Sequence, residues 1–213
     1  IRVVVLRGVG DRAFSAGADI SEFESNRTAA TARTYDDLNH VAFETVARAS
    51  KPTVAMIHGI CFGGGLELAL CCDLRLADDK ALFAVPAAKL GIGYNPRWIK
   101  PMLAVVSPAR AKELLFTGRR LTAGEALAAG MVGRMLPGPE LEAATIALAE
   151  EIAANAPLSI LAAKRCIDAF SESPESADIA ALDRLVDACF ASDDYAEGRR
   201  AFMEKRRPVF RGR

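Results

Sequence analysis

Gly63-Gly64-Gly65-Leu66-Glu67 is the stretch of this sequence best suited to chemistry. Glycines at the mouth of a helix let a ligand approach the backbone closely. The first N–H groups of that helix have no partner within it, and the helix dipole adds positive potential. That combination makes an anion site; the alternative is a tight turn that permits close packing. Glu67 follows in a run that is otherwise apolar: Leu66, Leu68, Ala69, Leu70, Cys71 and Cys72. A carboxylate there is costly unless paired or functional. Burial would raise its pKa and suit it to proton transfer near neutral pH. The competing reading is a buried carboxylate satisfied by a backbone N–H or an arginine. The glycines do not have phosphate-loop spacing, and Gly91-Ile92-Gly93 is a lone G-x-G that reads as a loop rather than a dinucleotide site.

Strands and loops must place these residues. Ile1–Leu6 and Thr53–Ile57 read as buried strands, closed by Arg7-Gly8 and His58-Gly59. They form a weak repeat, Val3–Gly8 against Val54–Gly59, each followed by a small-residue loop and a helix. On the first of those loops, Ala16-Gly17-Ala18-Asp19 exposes backbone N–H groups, unless it is an ordinary polar loop. Leu74–Ala77 and Leu82–Val85 read as further short strands. A helix is expected over Thr34–Ala49, with Leu38, Val41, Ala42, Thr45 and Val46 on its apolar face, and another over Leu66–Cys72. Ser21–Ala32 reads as a mobile loop. Short strands alternating with helices argue an α/β class.

After Arg97 the pattern is mostly helical. Segments are expected over Pro108–Phe116, Thr122–Ala129, Leu141–Asn155, Leu158–Phe170, Ala177–Phe190 and Tyr195–Arg206. Thr122 and Glu125 have capping-box spacing, with Gly130 closing the helix. The expected boundary is Pro137-Gly138-Pro139, giving a core over 1–136 and a helical region over 137–213. The tail helices alternate apolar and charged faces, as a packing or subunit-contact element would.

The 213 residues carry no net charge, so no overall field favours nucleic acid or a membrane. Five cysteines, with no C-x-x-C, argue against a disulfide framework or a zinc site and suit a reducing, cytoplasmic setting. Cys61 reads as an inert small hydrophobe, and His40 and His58 as structural. No apolar run approaches the roughly 20 residues that span a bilayer. Ile1 is not a start methionine and already reads as strand, so a preceding segment is expected.

Several motifs together resemble the enoyl-CoA hydratase/isomerase (crotonase) superfamily: Arg12–Ile20, His58–Ala69, Cys72-Asp73, Leu114–Gly118, Ala126–Val132 and Glu197–Arg206. The resemblance implies a spiral of ββα turns followed by helices that trimerise, often as a dimer of trimers. It implies that Ala18 and Gly64 supply the two oxyanion-hole N–H groups gripping a thioester oxygen, with Glu67 as acid/base. Ala16, Asp19 and Ile20 would lie on the loop that meets coenzyme A. Phe202 and Lys205 would help cover the nucleotide, commonly from a neighbouring subunit. No cofactor is implied; coenzyme A arrives as part of the substrate.

The chain departs from the pattern at one position. Family hydratases usually carry a second glutamate after the residue matching Pro86, and here that residue is Ala87. Two carboxylates can hold one water between them, so hydration loses half its apparatus; isomerases of the family often rely on the same position. Leu90-Gly91-Ile92-Gly93-Tyr94-Asn95 resembles a stretch of members that decarboxylate methylmalonyl-CoA, although those carry histidine where this chain has Ala18. Tyr94 would orient a carboxylate, donate a proton or form an aromatic wall of the acyl pocket. Arg97 would meet an acidic acyl group or be a surface charge. The expected activity is that of an enoyl-CoA hydratase-like lyase. The rivals are a malonyl-type decarboxylase and a coenzyme A-binding protein with weak catalysis. The weakest is RNA binding by the basic tail, where seven Arg and Lys between Glu197 and Arg213 face two glutamates.

Overall fold

A computed structural model describes residues 1–22 and 31–213. Residues 23–30, most of the Ser21–Ala32 loop, lie outside the described residues. The chain divides into two compact units: Val5–Ala49 with Thr53–Thr145, and Ile1–Val4 with Ser50–Pro52 and Ile146–Arg213. The division falls inside a helix, at Thr145–Ile146, and not at Pro137-Gly138-Pro139, where that helix begins. Its first turns belong with the strand unit because Leu141 and Thr145 are buried there.

The larger unit holds two four-stranded sheets. One is ordered β1 (Val4–Arg7), β3 (Thr53–Ile57), β5 (Leu74–Asp78), β8 (Arg134–Leu136); the other β2 (Ala13–Ser15), β4 (Ile60–Phe62), β6 (Leu82–Ala84), β7 (Leu121–Thr122). The chain alternates between them: β1 then β2, β3 then β4, β5 then β6. β3, β5 and β8 run parallel, as do β2, β4 and β6, while β7 is antiparallel to β6. Helix α1 (Ala32–Ala47) follows the first strand pair and α2 (Gly64–Leu70) the second, the ββα spiral of an α/β fold. The unit continues with α3 (Pro96–Val105), α4 (Pro108–Thr117) and α5 (Ala123–Ala128). Thr122 and Glu125 form the expected capping box; Ala129 is the C-cap, and Gly130 follows it at φ 74°.

β3 is buried along its whole length because it lies inside its sheet, which suits its apolar run. β1 lies at the sheet edge and is only partly buried, so the expectation of a fully buried first strand is corrected. Leu66, Phe83, Leu114, Leu121 and Met131 are fully buried around the strands, each contributing about 1.5–3 kcal/mol by burial. The expected face of α1 is also corrected. Leu38 and Val41 are 69% and 65% exposed, and the helix is phased instead by Phe43, which is buried against Trp98.

The smaller unit is helical, with α7 (Pro157–Glu172), α8 (Ile179–Phe190) and α9 (Asp193–Met203). The helix over the division, Gly138–Ala153, is α6. Buried Asp194 accepts from the backbone N–H groups of Arg211 (2.6 Å) and Gly212 (2.7 Å), tying residues 211–212 to the start of α9.

Candidate active site

Two loops meet at the N-terminus of α2. Gly63 is its N-cap with φ 51° and ψ −123°, backbone that favours glycine. The Gly63 N–H donates to Ala84 O (2.8 Å), fixing the turn to β6. The Ala16–Asp19 loop lies against it. A β-carbon on Gly17 would stand 2.9 Å from Phe62 O and 3.3 Å from Gly64 N, and Gly17 has φ 87°. One on Gly65 would stand 2.5 Å from the Ser15 β-carbon. Only glycines allow so close an approach of β2 and its loop to α2. Among the described residues, neither the Ala18 nor the Gly64 N–H has a hydrogen-bond partner. A helix N-terminus and an adjacent loop thus present two unspent donors with positive helix potential behind one of them.

Glu67 sits one turn further along α2 and is fully buried. Its Oε2 accepts from the Tyr94 hydroxyl at 3.1 Å, while Oε1 has no partner among the described residues. Burial pushes the carboxyl up to about 8, against a smaller lowering by the Tyr94 hydrogen bond. Burial and the neighbouring Glu67 push the Tyr94 phenol well above its ordinary range, so it remains a donor. The far end of α2 is pinned: Arg75 donates to Cys72 O (2.6 Å) and Met131 O (2.8 Å), and Asp73 accepts from Thr53 N–H (2.8 Å).

Tyr94 precedes α3, whose N-cap Asn95 accepts from Arg97 N–H (3.0 Å) and donates to Asp36 of α1 (3.1 Å). Arg97 pairs with Asp37 at 2.8 Å and is a surface charge. Trp98 is edge-on to both Tyr94 (5.6 Å) and Phe43 (5.8 Å). Phe43 also reaches the glycine turn, since a β-carbon on Gly64 would lie 3.7 Å from its Cζ. Phe43, Asp36 and Asp37 form a support that sequence reasoning missed. The apolar pattern of α1 favoured Leu38 and Val41, and nothing in it signalled an aspartate pair facing α3.

The remaining residues fall as follows. Ala16 and Asp19 are exposed, and Asp19 accepts from the N–H and hydroxyl of Ser21, which lower its carboxyl. Ile20 is exposed on a short 3-10 turn. Ala87 and Leu90 lie on the 3-10 helix Pro86–Leu90; Ala87 packs against the main core and Leu90 is exposed. Phe202, on α9, and Lys205, just beyond it with φ 53°, are exposed in the helical unit. Cys61 is buried and its thiol is pushed far up by burial, as an inert hydrophobe requires. His58 is buried with Nε2 unpartnered among the described residues. No group of three His, Cys, Asp or Glu among the described residues could hold a metal ion, and no single helix there is long and apolar enough to cross a membrane.

The enoyl-CoA hydratase/isomerase family model matches residues 1–213. The crotonyl-CoA hydratase of Syntrophomonas wolfei is 34% identical, the alignment covering 99% of this chain and 80% of that protein. The carnitinyl-CoA dehydratase of Salmonella typhi is 34% identical over all of this chain and 82% of its own length. The crystal structure of an enoyl-CoA hydratase/carnithine racemase from Magnetospirillum magneticum superimposes with a TM-score of 0.92 at 39% identity, covering 100% of this chain and 79% of that one. Fold and whole-chain likeness agree, and the chain belongs to the enoyl-CoA hydratase/isomerase family.

Proposed function

We propose that the protein acts on acyl-CoA thioesters, holding the thioester oxygen at the Ala18 and Gly64 N–H groups and moving the α-proton through Glu67. The observation that carries this is the buried, half-partnered carboxyl of Glu67 one turn beyond the glycine turn. Charge developing on the thioester oxygen would meet two fixed donors, each worth about 3–4 kcal/mol of barrier when removed in comparable sites. A carboxyl pushed up to about 8 can both give and take a proton near neutral pH. Reversible addition of water to an enoyl-CoA is the reaction favoured, in keeping with the hydratase and dehydratase names of the relatives.

A second reading is decarboxylation of a malonyl-type thioester. Ala87 leaves no carboxylate at that position, and the Tyr94–Glu67 pair holds a proton that could quench an enolate formed without a base. A panel of enoyl-, hydroxyacyl- and malonyl-CoA thioesters, read by mass spectrometry for gain of water or loss of carbon dioxide, separates the two. No change in any of them would remove both.

The helical unit is read as the oligomerisation element, forming trimers or dimers of trimers in which Phe202 and Lys205 help cover a neighbour's nucleotide. Support comes from the apolar side chains it exposes, Phe202 at 83% and Met203 at 80% among them, beside a groove of about 960 Å³ lined by Val186, Cys189, Phe190 and Tyr195. Light scattering that gives a monomer at micromolar concentration would overturn this part.

A further inference from the structure

Tyr94 is carried on a thinly anchored segment. Ile92 N–H donates to Ala87 O (3.0 Å) and Gly91 N–H to Ala88 O (3.4 Å), but a β-carbon on Gly91 or Gly93 would meet nothing within 4 Å. Beyond Tyr94 itself, which meets Glu67 and Trp98, the next anchor is Asn95, whose side chain is bonded at both ends. Oδ1 caps α3 through Arg97 N–H, and Nδ2 reaches across to Asp36 of α1. The Arg97–Asp37 pair repeats the same α3-to-α1 link further out, where solvent weakens it. α1 also reaches the other half of the site: Phe43 is edge-on to Trp98 and lies against Gly64. One helix therefore touches both the glycine turn and the segment that supplies the phenol.

We propose that Asn95 is a positioning residue, its bond to Asp36 locking α3 to α1 so that the Tyr94 phenol is held on Glu67 at a fixed distance from the Gly64 N–H. The proposal rests on the acid/base reading of Glu67. Catalysis is sensitive to this kind of placement, a shift of about 1 Å being enough to cost on the order of 100-fold in rate.

Asn95→Asp tests it, because aspartate caps a helix as well as asparagine does but cannot donate to Asp36 and faces it with like charge. The expected result is a fall in kcat of tenfold or more with KM altered by less than about twofold. The pH limb belonging to Glu67 should move upward, as in Tyr94→Phe. The double variant Asn95→Asp/Asp36→Asn rebuilds the pair in reverse and should restore both rate and limb. Asp36→Ala breaks the bond from the α1 side with the α3 cap untouched and should reproduce the loss, which keeps the test decisive if Asn95→Asp folds poorly. An unmoved limb in Asp36→Ala, or a double variant no better than the single one, would overturn the proposal. Glu67→Gln, assayed alongside, separates the two claims: wild-type turnover there removes the acid/base reading itself, whereas an inactive Glu67→Gln beside a normal Asp36→Ala removes only the lock.

Discussion

The Tyr94 hydroxyl donates to Oε2 of Glu67 across 3.1 Å, and Oε1 of the same carboxyl has no partner among the described residues. One oxygen is thus fixed by the protein, and in the proposed function the other is the one that meets the reacting group. That asymmetry separates this carboxyl from a structural one, which would have both oxygens satisfied.

Glu67→Gln should keep the fold, since glutamine is nearly the same size and can still accept from Tyr94. Turnover should fall by about 10²- to 10⁴-fold in kcat, the usual contribution of a positioned acid or base. Steady-state kinetics on the preferred thioester, with circular dichroism to show the fold, checks this.

Stability should depend on pH through the same group. The folded-state value of about 8 lies above the ordinary 4.5 of a glutamate. Between those values the native protein keeps a proton that the unfolded chain has released. The contribution of Glu67 to stability therefore declines as pH rises from about 4.5 and levels off above about 8, with a slope of at most ~1.4 kcal/mol per pH unit. Urea titrations across that range should show the decline in the wild type and lose it in Glu67→Gln.

Tyr94→Phe removes the hydrogen bond that lowers the Glu67 carboxyl. The limb of the pH–rate profile that reports Glu67 should move higher than in the wild type. The stability cost should be about 1 kcal/mol, the net value of a typical hydrogen bond. A limb that stays put would show that Tyr94 does not tune Glu67.

Gly64→Pro tests the helix-borne donor. Gly64 is the first residue of α2, where proline is tolerated because its missing N–H has no helical partner. The variant should fold yet lose about 10²- to 10³-fold in kcat, the cost of deleting one oxyanion donor. Near-normal turnover would take Gly64 out of the site.

Some of this was legible in the residues and some was not. β3 and the capping box follow from local pattern alone, because an apolar run and a Thr-x-x-Glu spacing carry their own physics. β2 and β4 read as loops, since three residues are too few to show a period; their neighbours in the sheet make them strands. The cost of Glu67 in an apolar helix was visible, but its partner was not. Tyr94 lies 27 residues away, and only the packing of α3 on α1 and α2 brings it there. Arg97 had no local signal for Asp37, 60 residues distant.

The central claim is that a thioester enolate forms at the Ala18 and Gly64 N–H groups with Glu67 carrying its α-proton. Deuterium incorporation at the α-carbon of an acyl-CoA incubated with the enzyme in heavy water, followed by mass spectrometry, tests it most directly. Enzyme-dependent α-deuteration is expected, lost in Glu67→Gln and strongly reduced in Gly64→Pro. Absence of exchange with the wild type across the thioester panel, or undiminished exchange in Glu67→Gln, would contradict it.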